Sequence, residues 1–377
     1  MLWRRRVILI VALLISAVPC AAPGATVYPY AVVDLGTLGG ATSVASGINN
    51  LGQVVGWADT ANDTTHAFLY DGSIMHDLGT FAEPGSWAYA INNASVVVGN
   101  SDISGSSDSN AFAYSAATGM VDLGVLPNMT STCANSVNSL GQIVGTAYSR
   151  VLNSSHAVIY GGGTVSDLNG IIPHPAGWTL GAADTINDAG MICGRGTDSA
   201  GNQLAFFYNG KDAAVQIPSL GGAYTGIAAM NNSGVGAGMS FDTSGTSHAI
   251  VYGAASGTQA IPMPPGVTSS YARGINDHGQ VVGTAATGAA HGFGFLYTGG
   301  EPVDLLSLVD PSYGWTLLSP YAGINDQGDI AGVGYNQYGQ QHAFLMMPTP
   351  EPTSLALLGV AAAVFAAYQT RRRVRPG

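Results

Sequence analysis

Hydrophobic residues occur in short runs along this chain, and Asn-, Asp- and Gly-rich links separate the runs. In one representative stretch the runs are Ser43–Ile48, Gln53–Ala58, His66–Tyr70 and Ile74–Leu78. Runs of β-branched and aromatic residues divided by Asn-Asn and Asp-Gly turns are typical of antiparallel hairpins. Between the two termini, no segment keeps helical periodicity over a dozen residues. The pattern therefore predicts an all-β body.

The hydrophobic pattern is part of a longer repeat. A phrase of an aliphatic residue, Asn, a second polar residue and then a turn, a hydrophobic pair and Gly occurs seven times, in some copies as a near match. The first Asn residues of the copies are Asn49, Asn92, Asn138, Asn187, Asn231, Asn276 and Asn325. A period of about 40–50 residues indicates a solenoid or a propeller. A residue that recurs in every unit is expected to have a structural role in that unit rather than a catalytic role.

The number of strands favours a propeller over a solenoid. Each unit carries four strands, but the last unit lacks its fourth because the chain enters a Pro-rich tail after Met346. An unassigned fourth strand, Tyr30–Gly36, precedes the first unit. A ring lets this strand complete the last sheet without leaving a free edge. We predict a seven-bladed β-propeller of four-stranded antiparallel blades over residues 28–347, closed by the N-terminal strand.

Two further motifs accompany the repeated phrase. The third strand reads His-Ala-Phe at His66–Phe68 and His342–Phe344, and the fourth ends in Asp-Leu-Gly at Asp77–Gly79. Together with Gly47–Gly56, these motifs resemble the HAF-repeat family of bacterial extracellular proteins over nearly all of residues 30–347. The resemblance implies an extracellular location and this repeat fold, and it assigns no catalytic residue.

Charge excludes one class of partner. Charged residues make up only 9% of the chain, and Gly accounts for 53 of its 377 residues, which suits turn-rich β structure. Most basic residues lie at the termini, so the body keeps Arg150, Arg195, Lys211 and Arg273 against 21 acidic residues, a net charge of about −17. Without a basic patch to neutralise phosphates, nucleic acid is not expected as a partner.

The N-terminus has the composition of a secretory signal peptide. Residues 1–25 are predicted to form a signal helix that signal peptidase removes near Gly24 or Ala25. Pro19 before Cys20 argues against a lipoprotein anchor. The three expected parts are a basic cluster, an apolar run and small residues, at Arg4–Arg6, Val7–Val18 and Ala21–Ala25.

The exported body keeps two cysteines. An oxidising compartment would permit a disulfide between Cys133 and Cys193. The two residues fall in different units and different strands. Two separate buried thiols are therefore expected, and a disulfide is the alternative.

The C-terminus, residues 348–377, carries a three-part pattern. An apolar stretch over Leu355–Tyr368 is short for a permanent span, which needs about 20 residues, and the positive-inside bias holds its basic flank in the cytoplasm. The pattern resembles the PEP-CTERM sorting signal of Gram-negative bacteria. The resemblance implies a short transmembrane helix, an inner-membrane-tethered precursor and an exosortase-type enzyme that delivers the protein to the cell surface or matrix. An ordinary anchor is the alternative. The motif residues are Pro350, Glu351, Pro352, Arg371, Arg372 and Arg373.

Repeated His and Asp residues suggest metal or acid–base chemistry at first sight. Because they recur once per blade, they are expected around a ring, in hydrogen bonds that tie strands or blades together. We predict no catalytic residue and no metal site among them. Four links rich in Asp, Asn, Ser and Gly could offer oxygen ligands to Ca²⁺: Asp59–Asp63, Asp102–Asp108, Asp198–Asn202 and Asp242–Gly245. None has the spacing of a calcium loop, so the prediction is no cofactor, with calcium as the alternative.

Aromatic residues outside the repeat are the better functional candidates. We expect them in the links from a fourth strand to the next first strand, around the axial channel, where they could stack on sugar rings. The alternative is that each packs its own blade, which a shared Gly-Trp-Thr-Leu context favours for Trp178 and Trp315. The candidate ligand-binding residues are Trp87, Tyr89, Trp178, Tyr224, Tyr271, Trp315 and Tyr321.

These patterns predict an exported, non-enzymatic surface or matrix propeller that binds extracellular polysaccharide or surface proteins. The alternative is a polysaccharide-active enzyme, a glycosidase or lyase, with its site in the channel. A sialidase-like site needs an Arg cluster, and glycoside hydrolysis needs two carboxylates about 5–10 Å apart. The sequence offers only three arginines in the body and no recognisable carboxylate pair.

Overall fold

The computed structural model describes residues 28–82, 84–103, 108–288 and 291–349. These residues form seven four-stranded antiparallel sheets and contain no α-helix. The predicted all-β, seven-bladed propeller is thereby confirmed. The predicted signal helix and C-terminal transmembrane helix lie outside the described residues, and no helix within them is long and apolar enough to span a membrane.

In six blades the four strands pair in chain order, and the seventh blade takes its fourth strand from the start of the chain. The first strands are β2 (Gly39–Ile48), β6 (Ser86–Ile91), β10 (Ser131–Val137), β14 (Thr179–Ile186), β18 (Gly221–Met230), β22 (Ser269–Ile275) and β26 (Trp315–Ile324). The second strands are β3 (Val54–Thr60), β7 (Val97–Asp102), β11 (Ile143–Ser149), β15 (Ile192–Thr197), β19 (Gly236–Asp242), β23 (Val281–Thr287) and β27 (Ile330–Asn336).

The third strands are as long as the second strands, whereas the fourth strands have only two to five residues. The third strands are β4 (Thr65–Tyr70), β8 (Ser109–Ser115), β12 (Ser154–Gly161), β16 (Gln203–Tyr208), β20 (Ser247–Gly253), β24 (His291–Tyr297) and β28 (Gln341–Pro348). The fourth strands are β5 (Met75–Asp77), β9 (Gly119–Asp122), β13 (Thr164–Asp167), β17 (Val215–Gln216), β21 (Gly257–Ala260), β25 (Val303–Asp304) and β1 (Tyr30–Asp34). Short 3-10 helices occupy Leu168–Gly170, Leu305–Leu308 and Pro311–Tyr313.

The ring closes as the strand count predicts. In the seventh blade the strand order is β1-β28-β27-β26, so the N-terminal strand supplies the missing fourth strand. The backbone N–H of Leu35 donates to the carbonyl of Ala343 at 2.9 Å, and His342 Nδ1 lies 2.8 Å from Asp34 Oδ2. These bonds join chain segments about 300 residues apart and remove the edge that a solenoid would expose.

By its contacts the described chain divides into two units, of which one is Val32–Met347 and the other includes residues 28–31 and 348–349. In the second unit, the backbone N–H of Thr349 donates to the carbonyl of Pro29, and its hydroxyl donates to the carbonyl of Tyr28, both at 2.9 Å. These bonds tie the first described residues to the last.

The seven repeated Asn residues form a closed ring of hydrogen bonds between blades. Each is buried, and its side-chain amide donates to the backbone carbonyl of the corresponding Asn in the next blade, at 2.9–3.2 Å. Asn325 completes the ring by donating to Asn49. Each Asn oxygen also accepts the N–H four residues later, which closes the turn. The repeated Asn therefore serves the unit, as expected.

The Gly that ends each phrase marks a close approach of two strands. A Cβ on Gly56 would overlap the carbonyl oxygen of Val44, and a Cβ on Gly145 would overlap that of Cys133. The same overlap recurs in the other blades, so only a residue without a side chain fits there.

The repeated His and Asp residues pair across the outer strands. His66 contacts Asp77 at 3.0 Å and His156 contacts Asp167 at 2.6 Å, in each case from the third strand to the fourth. His248 contacts Asp242 instead. These contacts confirm the expectation that the repeated His and Asp tie strands together.

Candidate binding site in the central channel

A β-bulge interrupts the first strand of every blade near its end. In the first six blades the pairing with the second strand skips one residue, and in the seventh it shifts between Ser319 and Gly323. A bulge leaves its extra residue outside the ladder and re-aims the side chain. The skipped residues are Ser46, Tyr89, Asn135, Asp184, Ala228 and Arg273.

All of these bulged residues line one central cavity of about 380 Å³, together with Tyr321 and Ala322 from the seventh blade. Their neighbours in the first strands complete the wall. Each blade thus places one position at the axis of the propeller, and the residue at this position differs from repeat to repeat. The repeated phrases form the ring, and the residues at the bulges determine the charge and polarity of the cavity.

Tyr89, Tyr321 and Arg273 line one side of the channel, and contacts with two further aromatic residues connect them. Trp57 packs edge-on against Tyr89, with ring centroids 6.3 Å apart, and against Tyr321, at 6.1 Å. The guanidinium carbon of Arg273 lies 5.1 Å from the Tyr321 ring centroid and 5.4 Å from that of Tyr271. We call these five residues the aromatic arc. It joins blades six, seven, one and two in one continuous set of contacts.

Arg273 carries a positive charge that the rest of the described chain does not neutralise. Its Nε is buried and has no hydrogen-bond acceptor among the described residues, and none of their carboxylates forms an ion pair with it. The flanking Tyr rings supply cation–π attraction, worth about 0.5–2 kcal/mol at such sites. Arg273 is half-buried, and because buried charges are normally paired, an anion would be stabilised here.

The other side of the channel carries a carboxylate that is already paired. Arg195 donates from Nε and from one terminal nitrogen to the two oxygens of Asp184, each at 2.9 Å. Burial raises the pKa of the Asp184 carboxyl, and the hydrogen bonds and charge of Arg195 oppose that rise. Asp184 in turn raises the pKa of the Arg195 guanidinium.

Two of the polar bulge residues tie neighbouring blades together. The side-chain amide of Asn135 donates to the carbonyl of Ala183 at 2.9 Å, and the hydroxyl of Ser46 donates to the carbonyl of Ala88 at 2.6 Å. Tyr89 differs because burial raises its pKa, so its hydroxyl stays protonated at neutral pH. The cavity therefore presents a cation, two Tyr side chains and one carboxylate that is paired with Arg195.

The predicted aromatic candidates divide into two groups. Tyr89 and Tyr321 line the cavity, Tyr271 contacts Arg273, and Tyr224 neighbours Arg195, whose pKa it helps to raise. The other three lie elsewhere: Trp178 packs against a core cluster, Trp315 packs edge-on against Phe344, and Trp87 covers Gly85.

The expected position of these aromatics in links was wrong. All except Trp178 lie within first strands, because those strands extend further than the hydrophobic pattern indicates. Sequence reasoning also missed Trp57, Asn135 and Asp184 as site residues, and it considered Arg273 only as part of an Arg cluster. The available signal was the position three residues before each repeated Asn, which varies within an otherwise repeated phrase.

In the candidate calcium links that begin at Asp59 and Asp198, the first Asp is already bound by protein groups, and Asp59 accepts hydrogen bonds from Thr42 and Thr65. Asp198 accepts hydrogen bonds from the backbone N–H groups of Ala200 and Asn202 and from the Asn202 side chain. Among the described residues, no group of three or more His, Cys, Asp or Glu side chains could hold a metal ion.

Cys133 and Cys193 are free thiols, as expected, but only Cys193 is buried, and Cys133 is half-buried. Burial raises the pKa of Cys133 to about 12 and raises that of Cys193 as well. Both are therefore poor nucleophiles in the folded protein.

The family model of the PEP-CTERM protein-sorting motif matches residues 348–373. This match indicates export and surface sorting by an exosortase-type system. It confirms the C-terminal resemblance, although the motif residues themselves lie outside the described part of the chain. A search of curated proteins finds no significant match.

Several solved structures are similar in fold at low sequence identity. TolB from Acinetobacter baumannii has a TM-score of 0.41 at 10% identity, covering 82% of this chain and 64% of that one. Puromycin hydrolase has 0.43 at 14%, covering 82% and 53%, and the BP39L lectin from Burkholderia pseudomallei has 0.37 at 10%, covering 84% and 95%. This chain spans less than two thirds of the first two. Because every TM-score is below 0.5, none bears on function.

Proposed function

We propose that the protein is an exported, non-enzymatic binding module of the cell surface or extracellular matrix, with a glycan or a surface protein as its ligand. The convergence of Tyr89, Tyr321 and Arg273 from three blades on one cavity carries this proposal. At about 380 Å³ the cavity lies at the lower end of the range for small-ligand pockets, about 300–1,000 Å³. It suits one sugar unit or one side chain.

The route to that location is part of the proposal. Signal peptidase removes residues 1–25, and the C-terminal apolar stretch holds the precursor in the inner membrane of a Gram-negative cell until an exosortase-type enzyme acts. We assign the repeats to the HAF type because their motifs resemble that family. The sorting match supports the C-terminal step of this route.

The chemistry of the cavity favours binding over catalysis. Glycoside hydrolysis uses two carboxylates, and Asp184 is the one carboxylate among the described residues that line the cavity. It is engaged by Arg195 at 2.9 Å. A lyase that used a tyrosinate base would need a lowered Tyr pKa, whereas burial raises that of Tyr89.

A glycan array and a turnover assay on the same exported protein separate the two functions. We expect retention of one class of glycan with neither new reducing ends nor unsaturated products. Product formation would replace the binding function with the enzymatic alternative. Retention of no glycan and no surface protein would reject both forms of the binding proposal.

A further inference from the structure

We propose that the central cavity binds a uronic-acid unit of a glycan and that Arg273 binds its carboxylate. The inference rests on the proposed binding function and names the ligand class for that same cavity. Arg273 lines the cavity, its Nε is buried without an acceptor among the described residues, and two Tyr rings flank its guanidinium.

The other arginines of the body are neutralised by partners. Arg150 pairs with Asp108 at 3.0 Å, and Arg195 pairs with Asp184 at 2.9 Å. Lys211 lies exposed in a turn of the fourth blade. Among the Arg and Lys side chains of the described residues, Arg273 is thus the one that lines the cavity and has no carboxylate partner.

The contacts of Arg273 are suited to a planar anion. Its guanidinium lies over the rings of Tyr271 and Tyr321, at 5.4 and 5.1 Å from their centroids. Arginine can stack on aromatic rings while its N–H groups form two parallel hydrogen bonds to a carboxylate. The flanking rings restrict the side chain before the ligand arrives, which reduces the entropy lost on binding.

The remainder of the aromatic arc suits the ring of a sugar. Tyr321 is 41% exposed, and Trp57 packs between it and Tyr89. Aromatic rings offer an apolar surface, and the Tyr hydroxyls offer hydrogen bonds, which matches a sugar ring with its apolar face and polar edge. Across the cavity Asp184 is 19% exposed and adds an acceptor for sugar hydroxyls.

Charge argues for a ligand with a single negative group. The body carries a net charge of about −17, which repels polyanions at a distance. One unpaired guanidinium compensates one carboxylate at contact. A uronic acid has one carboxylate on an otherwise neutral ring, whereas a phosphate or sulfate cluster would exceed the charge that Arg273 can offset.

Titration calorimetry of the exported protein tests the proposal with three matched ligands: galacturonate, its methyl ester and galactose. The ester keeps the ring and loses the charge. We expect galacturonate to bind roughly 10–100-fold more tightly than either neutral ligand, the range for charge-assisted hydrogen bonds. Arg273→Gln should reduce galacturonate binding to the neutral level, and Arg273→Lys should restore only part of it. Arg150→Gln, which removes a paired surface arginine, should leave binding unchanged.

The outcomes separate this inference from the proposed function. Equal affinity for acid, ester and galactose, or galacturonate binding that survives Arg273→Gln, would overturn the role of Arg273 and leave glycan binding intact. Retention of neutral glycans on the array without binding of galacturonate would overturn the ligand class. Should Arg273→Gln fail to fold, the comparison of acid with ester on the unaltered protein decides the question.

Discussion

Replacing one member of the Asn ring should destabilise the whole propeller. Asn187 is only 4% exposed, and its side chain makes three hydrogen bonds: it donates to the carbonyl of Asn231 at 3.0 Å and accepts from the N–H groups of Ala189 and Met191 at 3.1 and 2.9 Å. A net contribution of about 1 kcal/mol for each, with backbone groups left unpaired, gives a loss of about 2–4 kcal/mol for Asn187→Ala. That is a large share of a typical stability of about 5–15 kcal/mol.

The next residue in the same turn provides a matched control. Asp188 is exposed, and its carboxylate accepts from the N–H and hydroxyl of Ser139 at 2.7 and 2.9 Å. Because water replaces such bonds, Asp188→Ala should reduce the free energy of unfolding by less than about 1 kcal/mol. Urea denaturation of both variants gives the comparison, provided that the m-values agree. A loss for Asn187→Ala no larger than that for Asp188→Ala would refute the claim that the amide ring holds the blades together.

Three further predictions concern packing, pH and thiols. Gly145→Ala should prevent folding or lower the melting temperature by many degrees, because its Cβ would overlap the carbonyl of Cys133, whereas Gly161→Ala meets open space and should change little. Hydrogen bonds, above all from Ser244, hold the pKa of Asp242 well below its usual range. Its contribution to stability should be present above about pH 4 and lost as the pH falls, so Asp242→Asn should flatten the acid decline of the melting temperature. Because burial raises the pKa of Cys133 to about 12, a thiol reagent at neutral pH should label it only after unfolding.

The sequence was sufficient to predict the ring because its determinants are local and repeated. Asn and Gly at fixed positions define each turn, and the unpaired strand at Tyr30–Gly36 matches the strand missing after Met346. Both features depend on short-range geometry that a repeat displays seven times. Closure follows because an unpaired edge is unfavourable, and the structure pairs β1 with β28 accordingly.

The site was harder to predict because a bulge changes which way a side chain points. Alternation along a regular strand assigns each residue to one face, and one extra residue reverses the assignment for all that follow. Arg273 and Tyr89 are the residues that the bulges leave outside the ladder, and both line the channel. The pairing of Asp184 with Arg195 likewise depends on the register between two strands.

A crystal structure of the exported protein with galacturonate tests the central claim most directly. Our account predicts an intact sugar in the central cavity, with its carboxylate on Arg273 and its ring against Tyr321. A sugar bound only on the outer surface of a blade, or an oligomer cleaved within the channel, would contradict it.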